Sequence, residues 1–564
     1  MSFHPLTARF SAGIEEVHGA ANVYFDAANL RKLPLVKAIQ KLRAIRTEKL
    51  VVAVQDELTA AAVGPLSIAA SLARARRIEI VWPDLRSEPV RRWRVLHQIA
   101  RLVYDTLASR LSLVRAQRRA ATILAGRRPT HVPPAVGSRF LFLDANLSLG
   151  LPVGGSIGHT AGVIDGFVEC GFEVDYASVK RIPTTRPRAR ELKLRPKTLL
   201  AIPPELNFYR YAEQINRELL SMPMAEPWSF IYQRFSLHNF SGSDLARKLN
   251  VPVVLEFNGS EVWTAENWGT RLALHDAALM AETAALSSAD LLVTVSDTLA
   301  DDLRRRGIPD DRIVVYPNCV NSDVFDAARF SAEDLANVRK RYSIAEDALV
   351  VGFIGTFGQW HGVDFLAECI RDLVRDESAW LEQSKIHFLL VGDGLKMPLV
   401  RQLIGSPPTC RYVTLTGLVP QSEAASYLAC ADILVSPHIP NKDGSRFFGS
   451  PTKLFEYMAM EKPIIAAALD QIEGVVSGRG ASKFAELPTG AGDPCGFLFE
   501  PGNAQDFKRA LKEVVRDMPV ARQVAKAARR EVLNRYTWKR HVNAILAAMS
   551  RNGLLSRKPN VPAT

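Results

Sequence analysis

Apolar residues along this chain fall into short runs separated by stretches of helical period. Between residues 22 and 85 the runs NVYFDAANL, LVVAVQDE and IEIVWPDL alternate with the helical pattern LPLVKAIQKLRAI and with an Ala-rich stretch reaching Arg77. That alternation predicts βαβ units on a parallel sheet. Residues 91–125 then place Val95, Ile99, Leu102, Val103, Leu107, Leu111 and Val114 at three- and four-residue steps with arginines between them. The spacing predicts one long amphipathic helix. GRRPTHVPPAVGS (126–138), with its glycines and three prolines, reads as a linker.

A second α/β unit opens at RFLFLD (139–144), passes through a Gly-rich turn into an apolar-periodic helix and another strand, and continues with strands at 230–234, 251–257, 291–296 and 313–318. A charged helical connection occupies about 326–346, and a third unit follows with strands at 349–355, 386–392, 412–417, 432–437 and 462–467. Two successive blocks of the same strand–loop–helix grammar predict two facing Rossmann-like domains. The expected boundaries are 1–135 for an extra N-terminal α/β segment with the basic helix and linker, 136–330 and 331–550 for the two domains, and 551–564 for a tail. In such sheets ligands sit outside the carboxyl ends of the strands.

Length agrees: 564 residues exceed a single core, which stops growing at roughly 250–300 residues. With 47% hydrophobic and 23% charged residues, wholesale disorder and collagen-like chains are excluded. No apolar run approaches the roughly 18–20 residues that span a bilayer, and MSFHPLTARFSAGIEE lacks the basic-then-apolar order of a secretion signal. The six cysteines form no CxxC pair, which argues against a zinc ribbon, a redox site or a disulfide framework. These features lead us to expect a cytoplasmic protein. The net charge of +12 is local: residues 86–128 hold eleven arginines against Glu88 and Asp105. Such a helix either lies in the plane of an anionic membrane surface, making the protein peripheral at the inner membrane, or packs its apolar stripe over the N-terminal sheet. A nucleic-acid partner is not expected, because no RNA- or DNA-binding module is present.

Three loops carry candidate chemistry. Gly154, Gly155 and Ser156 follow a strand and start a helix, where peptide N–H groups favour an anion; the alternative is a tight turn with no ligand. His159, one turn further, reads as a packed residue. The turn from Gly355 through Thr356 and His361 repeats the pattern. In GSRFFGSPTKLFEYMAMEK, Ser450 is placed to cap a helix with Pro451 in its first turn, so that Lys453 and Glu456 share one face. A lysine there suits a diphosphate, and a glutamate one turn deeper suits the vicinal hydroxyls of a ribose. The bland alternative is a surface ion pair of a few tenths of a kcal/mol. No Ser/His/Asp set or DxD pair stands out; Asp301–Asp302 and Asp310–Asp311 read as solvated acids.

The succession GGSIGHTAGVIDGFVECGFEV, ADLLVTVSDTLADDLRRRGIPDDRIVVYPNCVNSDVF, GFIGTFGQWHGVDFL, LLVGDG, VTLTGLVPQSEAASYLACADILVSPH, SPTKLFEYMAMEKPIIA and YTWKRHVNAIL resembles the GT-B glycosyltransferases of family 4 over about residues 139–550. The resemblance implies a retaining hexosyltransferase that moves a sugar from a UDP- or GDP-linked donor to a glycan or lipid-linked acceptor, in surface polysaccharide or glycolipid synthesis. It implies no metal and no cofactor beyond the nucleotide-sugar co-substrate, with the departing phosphate taking the acceptor's proton. It sets Gly155 and Ser156 over the reaction centre, Gly154 and His159 on the acceptor side, and Asn258, with Glu261 nearby, where a histidine is usual. Asn318 to Asn321 match the interdomain turn. Gly355, Thr356, Gly392, Gly394, Leu418, Val419, Arg446, Ser450, Lys453 and Glu456 fall at donor-binding positions. Thr356 and His361 replace an Arg and a Lys that usually grip the diphosphate, so Lys453, Arg446, His361 and the helix starts must meet that charge. Phe448 stands where a sugar-side glutamate is usual. The departures at Thr356 and Phe448 motivate the alternative of a non-catalytic GT-B-like binding or scaffold protein, and a sugar phosphorylase stands further off.

Overall fold

The computed structural model describes residues 6, 8–19, 33, 35–55, 60–126, 133–147, 155–179, 189–223, 226–269, 271–480 and 492–556. The expected strand at 22–30, linker residues 127–132, Gly154 and the end of the tail lie outside the described residues.

The N-terminal segment is a small sheet in which Arg46–Ala53 pairs parallel with Arg74–Val81, and Ser87–Pro89 pairs antiparallel with the latter. Arg74 to Arg77 were expected to close a helix. They instead extend a strand, because Ala75 alone of the four points inward while the arginines stay exposed and pair in register with Arg46 to Lys49.

The second unit is a seven-stranded parallel sheet in the order Ile313–Val315, Leu291–Thr294, Val253–Glu256, Ile231–Arg234, Arg139–Asp144, Glu173–Ser178, Ala189–Lys193. The third is a six-stranded parallel sheet in the order Val413–Gly417, Ile386–Val391, Leu349–Ile354, Ile433–Ser436, Ile464–Ala467, Phe497–Phe499. Buried on both faces by helices, most of these strands are continuous apolar runs, the expected signature of parallel sheets. Besides Ser87–Pro89, two strands of these large sheets went unpredicted. Ala189–Lys193 is a polar edge strand and Phe497–Phe499 has three residues, so neither shows an apolar run of strand length.

The two domains are stitched together by the last helix, Trp538–Arg551, which crosses from the third unit to pack on helix Gly155–Glu169 of the second. Its membership of the 331–550 block is therefore sequential only. The crossing needs small residues beneath it: a Cβ on Gly162 would lie 2.2 Å from the Trp538 ring. Val542 and Ile545 then bury into the same core as Phe140 and Phe167.

Helix Arg92–Ala125 forms as expected over 34 residues, but with the opposite orientation to the core-packing alternative. Its packed face is small and polar. Ala116, Ala120 and Ile123 join the core of the second unit with Tyr209, Leu255 and Phe257, and Ser112 Oγ donates to Glu213 Oε2 at 2.8 Å. Most of the predicted apolar stripe, including Val103, Leu107 and Leu111, faces outward and does not cover the N-terminal sheet.

Candidate functional site

Between the carboxyl ends of the two large sheets lies a cavity of about 450 Å³. Four helices begin on it: Gly155–Glu169, Glu261–Trp268, Val363–Asp376 (just past His361) and Thr452–Ala459. The first-turn N–H groups of these helices favour negative charge on this floor. Gly155 approaches so closely that a Cβ there would lie 3.2 Å from Thr452 Oγ1.

Lys453 projects into this floor and is buried. Its Nζ lies 3.1 Å from His361 Nδ1 and 4.2 Å over the Phe353 ring. Gly355, at φ +149°, makes room: a Cβ there would meet Nζ at 2.6 Å. Burial, the Lys453 charge and His438 hold the His361 imidazole well below its ordinary pKa, so the ring is neutral and Nδ1 accepts from the ammonium. Burial also presses Lys453 down to about 7, with Glu456 pulling the other way. One helical turn on, burial pushes the Glu456 carboxyl up to about 7 against the Lys453 charge.

The first domain contributes a buried polar cluster. His159 Nε2 lies 2.8 Å from Glu256 Oε1, and His159 Nδ1 lies 2.6 Å from Asn318 Oδ1. Arg234 reaches the same Glu256 oxygen at 3.6 Å and donates to Thr160 Oγ1 at 2.8 Å. The Tyr232 hydroxyl donates to Glu256 Oε2 at 2.7 Å and Asn258 Nδ2 donates to Oε1 at 2.5 Å. Burial alone would raise the Glu256 carboxyl, but His159 and Arg234 hold it well below the usual carboxylate range. Glu261 has less help: burial pushes it up to about 7, Arg234 opposing and Glu282 and Asp144 adding. Asn258 Oδ1 is buried without a partner among the described residues, and Asn258 lines the cavity.

The end of the cavity beyond His361 is aromatic. The Trp360 ring stacks on His361 at 4.2 Å, Trp268 lies parallel to Trp360 at 6.1 Å, and Phe448 lies parallel to Trp268 at 5.7 Å. Leu418, Val419, Glu456 and Lys453 line the same cavity as this aromatic wall.

Gly155, Ser156, His159, Asn258, Glu261, Gly355, Thr356, His361, Gly392, Leu418, Val419, Ser450, Lys453 and Glu456 all line this one cavity. Gly394 and Arg446 do not. Gly394 turns behind it, where a Cβ would sit 2.9 Å from Phe357 O. Arg446 is held across the domain seam by Asp470 at 2.9 Å and Asp301 at 3.3 Å, beside a separate depression with Trp263 and Arg306, and cannot meet the charge assigned to it. Ser450 does not cap its helix: its Oγ accepts from the Asn318 N–H at 2.9 Å, and Pro451 is the capping residue. Asp301 and Asp302 are bound in ion pairs with Arg304, Arg305 and Arg306. Sequence reasoning missed Arg234 and Glu256 in the polar cluster and Trp268 in the wall. The first two end parallel strands, and that position was the available signal.

Residues 154–319 match the family described as "Glycosyl transferase 4-like domain" and residues 348–517 the one described as "Glycosyl transferases group 1". The chain is 25% identical over 279 residues to a D-inositol 3-phosphate glycosyltransferase of Geodermatophilus obscurus, a match covering 48% of this chain and 55% of that protein. It is 20% identical over 167 residues to an alpha-monoglucosyldiacylglycerol synthase of Acholeplasma laidlawii, covering 30% of this chain and 39% of the relative. Among solved structures, Anabaena HepE in complex with UDP-glucose superposes with a TM-score of 0.53 at 15% identity, covering 73% of this chain and 99% of that one.

Proposed function

The chain belongs to the GT-B glycosyltransferases of the family-4-like type, and from that premise we propose that it is a retaining, metal-independent hexosyltransferase using a UDP- or GDP-sugar. The acceptor is a glycan or a lipid-linked sugar, in surface polysaccharide or glycolipid synthesis at the inner face of a membrane. One observation carries the reading. A buried lysine that among the described residues lies against a neutral imidazole and an aromatic face sits among helix N-termini, one turn from Glu456 in the same cavity.

The lining holds a group suited to each part of a nucleotide sugar. The base lies against Leu418 and Val419, the ribose hydroxyls on Glu456, the diphosphate on Lys453 and the helix starts, and the sugar against Trp360, Trp268 and Phe448. The C1–O bond to the diphosphate breaks as the acceptor oxygen bonds to C1 from the same face. The acceptor's proton passes to the departing phosphate oxygen, so the protein positions and stabilises charge rather than supplying a nucleophile. In this reading Glu261, whose carboxyl burial pushes up to about 7, and Asn258 Oδ1 orient the acceptor hydroxyl.

The non-catalytic alternative keeps its two supports, Thr356 and Phe448, which both line the cavity. Incubating the protein with UDP-, GDP- and ADP-sugars and candidate acceptors, and following the anomeric proton by NMR, separates the two. Transfer with retained anomeric configuration supports the proposal, whereas nucleotide-sugar binding without turnover on any acceptor supports the alternative.

A further inference from the structure

Helix Arg92–Ala125 turns two unlike faces in opposite directions. Inward, Ala116, Ala120 and Ile123 are buried in the core with Phe257. Outward, Leu96, Ile99, Val103, Leu107, Leu111 and Val114 remain 41–72% exposed. At about 100° per residue the six fall within an arc of roughly 120°, and at about 1.5 Å per residue the row runs roughly 27 Å. Monomeric proteins rarely leave so continuous an apolar row in water.

Charge selects what covers it. Asp105, the only acid in this helix, is buried and paired with Arg210 on the inner side. Glu213 and Asp244 of the neighbouring helices likewise hold Arg115 and Arg119. Arg110 and Arg118, beside the outward row, are exposed and make no ion pair among the described residues. No acid of this helix lies on the outer face, which carries the apolar row with Arg110 and Arg118 beside it. We infer that it docks flat on an anionic lipid bilayer, with the leucines at the headgroup–acyl boundary and the arginines among the headgroup phosphates. The inner face of the helix shares its core with Phe257, next to the cavity-lining Asn258. The inference stands without the sugar-transfer reading, since lipid binding and nucleotide binding are read separately.

The test is flotation of the full chain with phosphatidylcholine vesicles, with and without phosphatidylglycerol. Leu107→Asp/Leu111→Asp and Arg110→Glu/Arg118→Glu serve as variants, with circular dichroism and UDP binding as controls of fold. The wild type floats with the anionic vesicles, the leucine variant binds at least about tenfold less, and the arginine variant loses its preference for phosphatidylglycerol. The inference is overturned if the wild type stays at the bottom with both vesicles, or if the leucine variant floats unchanged. It is also overturned if light scattering shows a dimer that the leucine variant splits while leaving flotation as it was, which assigns the row to a second copy of the chain.

Discussion

Lys453 Nζ lies 3.1 Å from His361 Nδ1 and 4.2 Å over the Phe353 ring, in a cleft on which helices begin, and burial presses its pKa down. A buried charge of this kind is costly unless an anion joins it. In the proposed function that anion is the diphosphate of the donor.

Replacing Lys453 with Met removes a charge-assisted contact to the donor, worth about 1.5–3 kcal/mol. We expect the donor KM to rise roughly 10- to 150-fold, with the urea midpoint unchanged or higher because a buried charge is gone. Steady-state kinetics and an unfolding curve check the two halves separately.

The Lys453–Glu456 pair also makes stability depend on pH. Lys453 falls from its ordinary 10.5 to about 7, so its contribution is full above 10.5 and lost as pH falls through 7. Glu456 rises from 4.5 to about 7, so its contribution is full below 4.5 and lost as pH rises through 7. The two contributions together are smallest near neutrality. The difference in urea midpoint between wild type and Lys453→Met/Glu456→Gln, followed against pH, should be most unfavourable to the wild type near 7 and shrink on either side. A flat difference contradicts this account of the pair.

If the aromatic wall receives the sugar, Trp268→Ala should weaken binding of the nucleotide sugar and spare the bare nucleoside diphosphate. One aromatic contact contributes about 0.5–1.5 kcal/mol, a change of roughly 2- to 13-fold in Kd. Calorimetry with both ligands reads the contrast, and equal losses for both would move the sugar elsewhere.

Gly162 lies under Trp538, whose ring would meet an added Cβ at 2.2 Å. Gly162→Val should therefore destabilise by about 1–3 kcal/mol or more through overpacking, while Gly171→Ala, with open space around its Cβ but φ +90°, tests backbone strain alone. Urea unfolding of both variants distinguishes lost interdomain packing from local strain.

Much of this architecture was legible because buried parallel strands are apolar on both faces. RFLFLD coincides with the strand Arg139–Asp144, and the other long strands fall within a few residues of their runs. Ala189–Lys193 escaped because an edge strand need not be apolar. In the site, Lys453 and Glu456 could be read because a local helix sets their shared face. Arg446 was misplaced because its partners, Asp301 and Asp470, lie 145 and 24 residues away. Ser450 has the right spacing for a cap, yet Asn318, 132 residues away, takes its hydroxyl. The His159–Glu256–Arg234 cluster joins three separate strand–helix units, and no local pattern announces such a meeting.

The central claim is that this cleft holds a nucleoside diphosphate, and a crystal structure with UDP-glucose or GDP-mannose tests it most directly. The account predicts the ribose hydroxyls on the Glu456 carboxylate, the diphosphate within hydrogen-bonding reach of Lys453 Nζ, and the sugar against Trp360 and Phe448. A nucleotide bound outside this cavity, or a ribose turned away from Glu456, would contradict it.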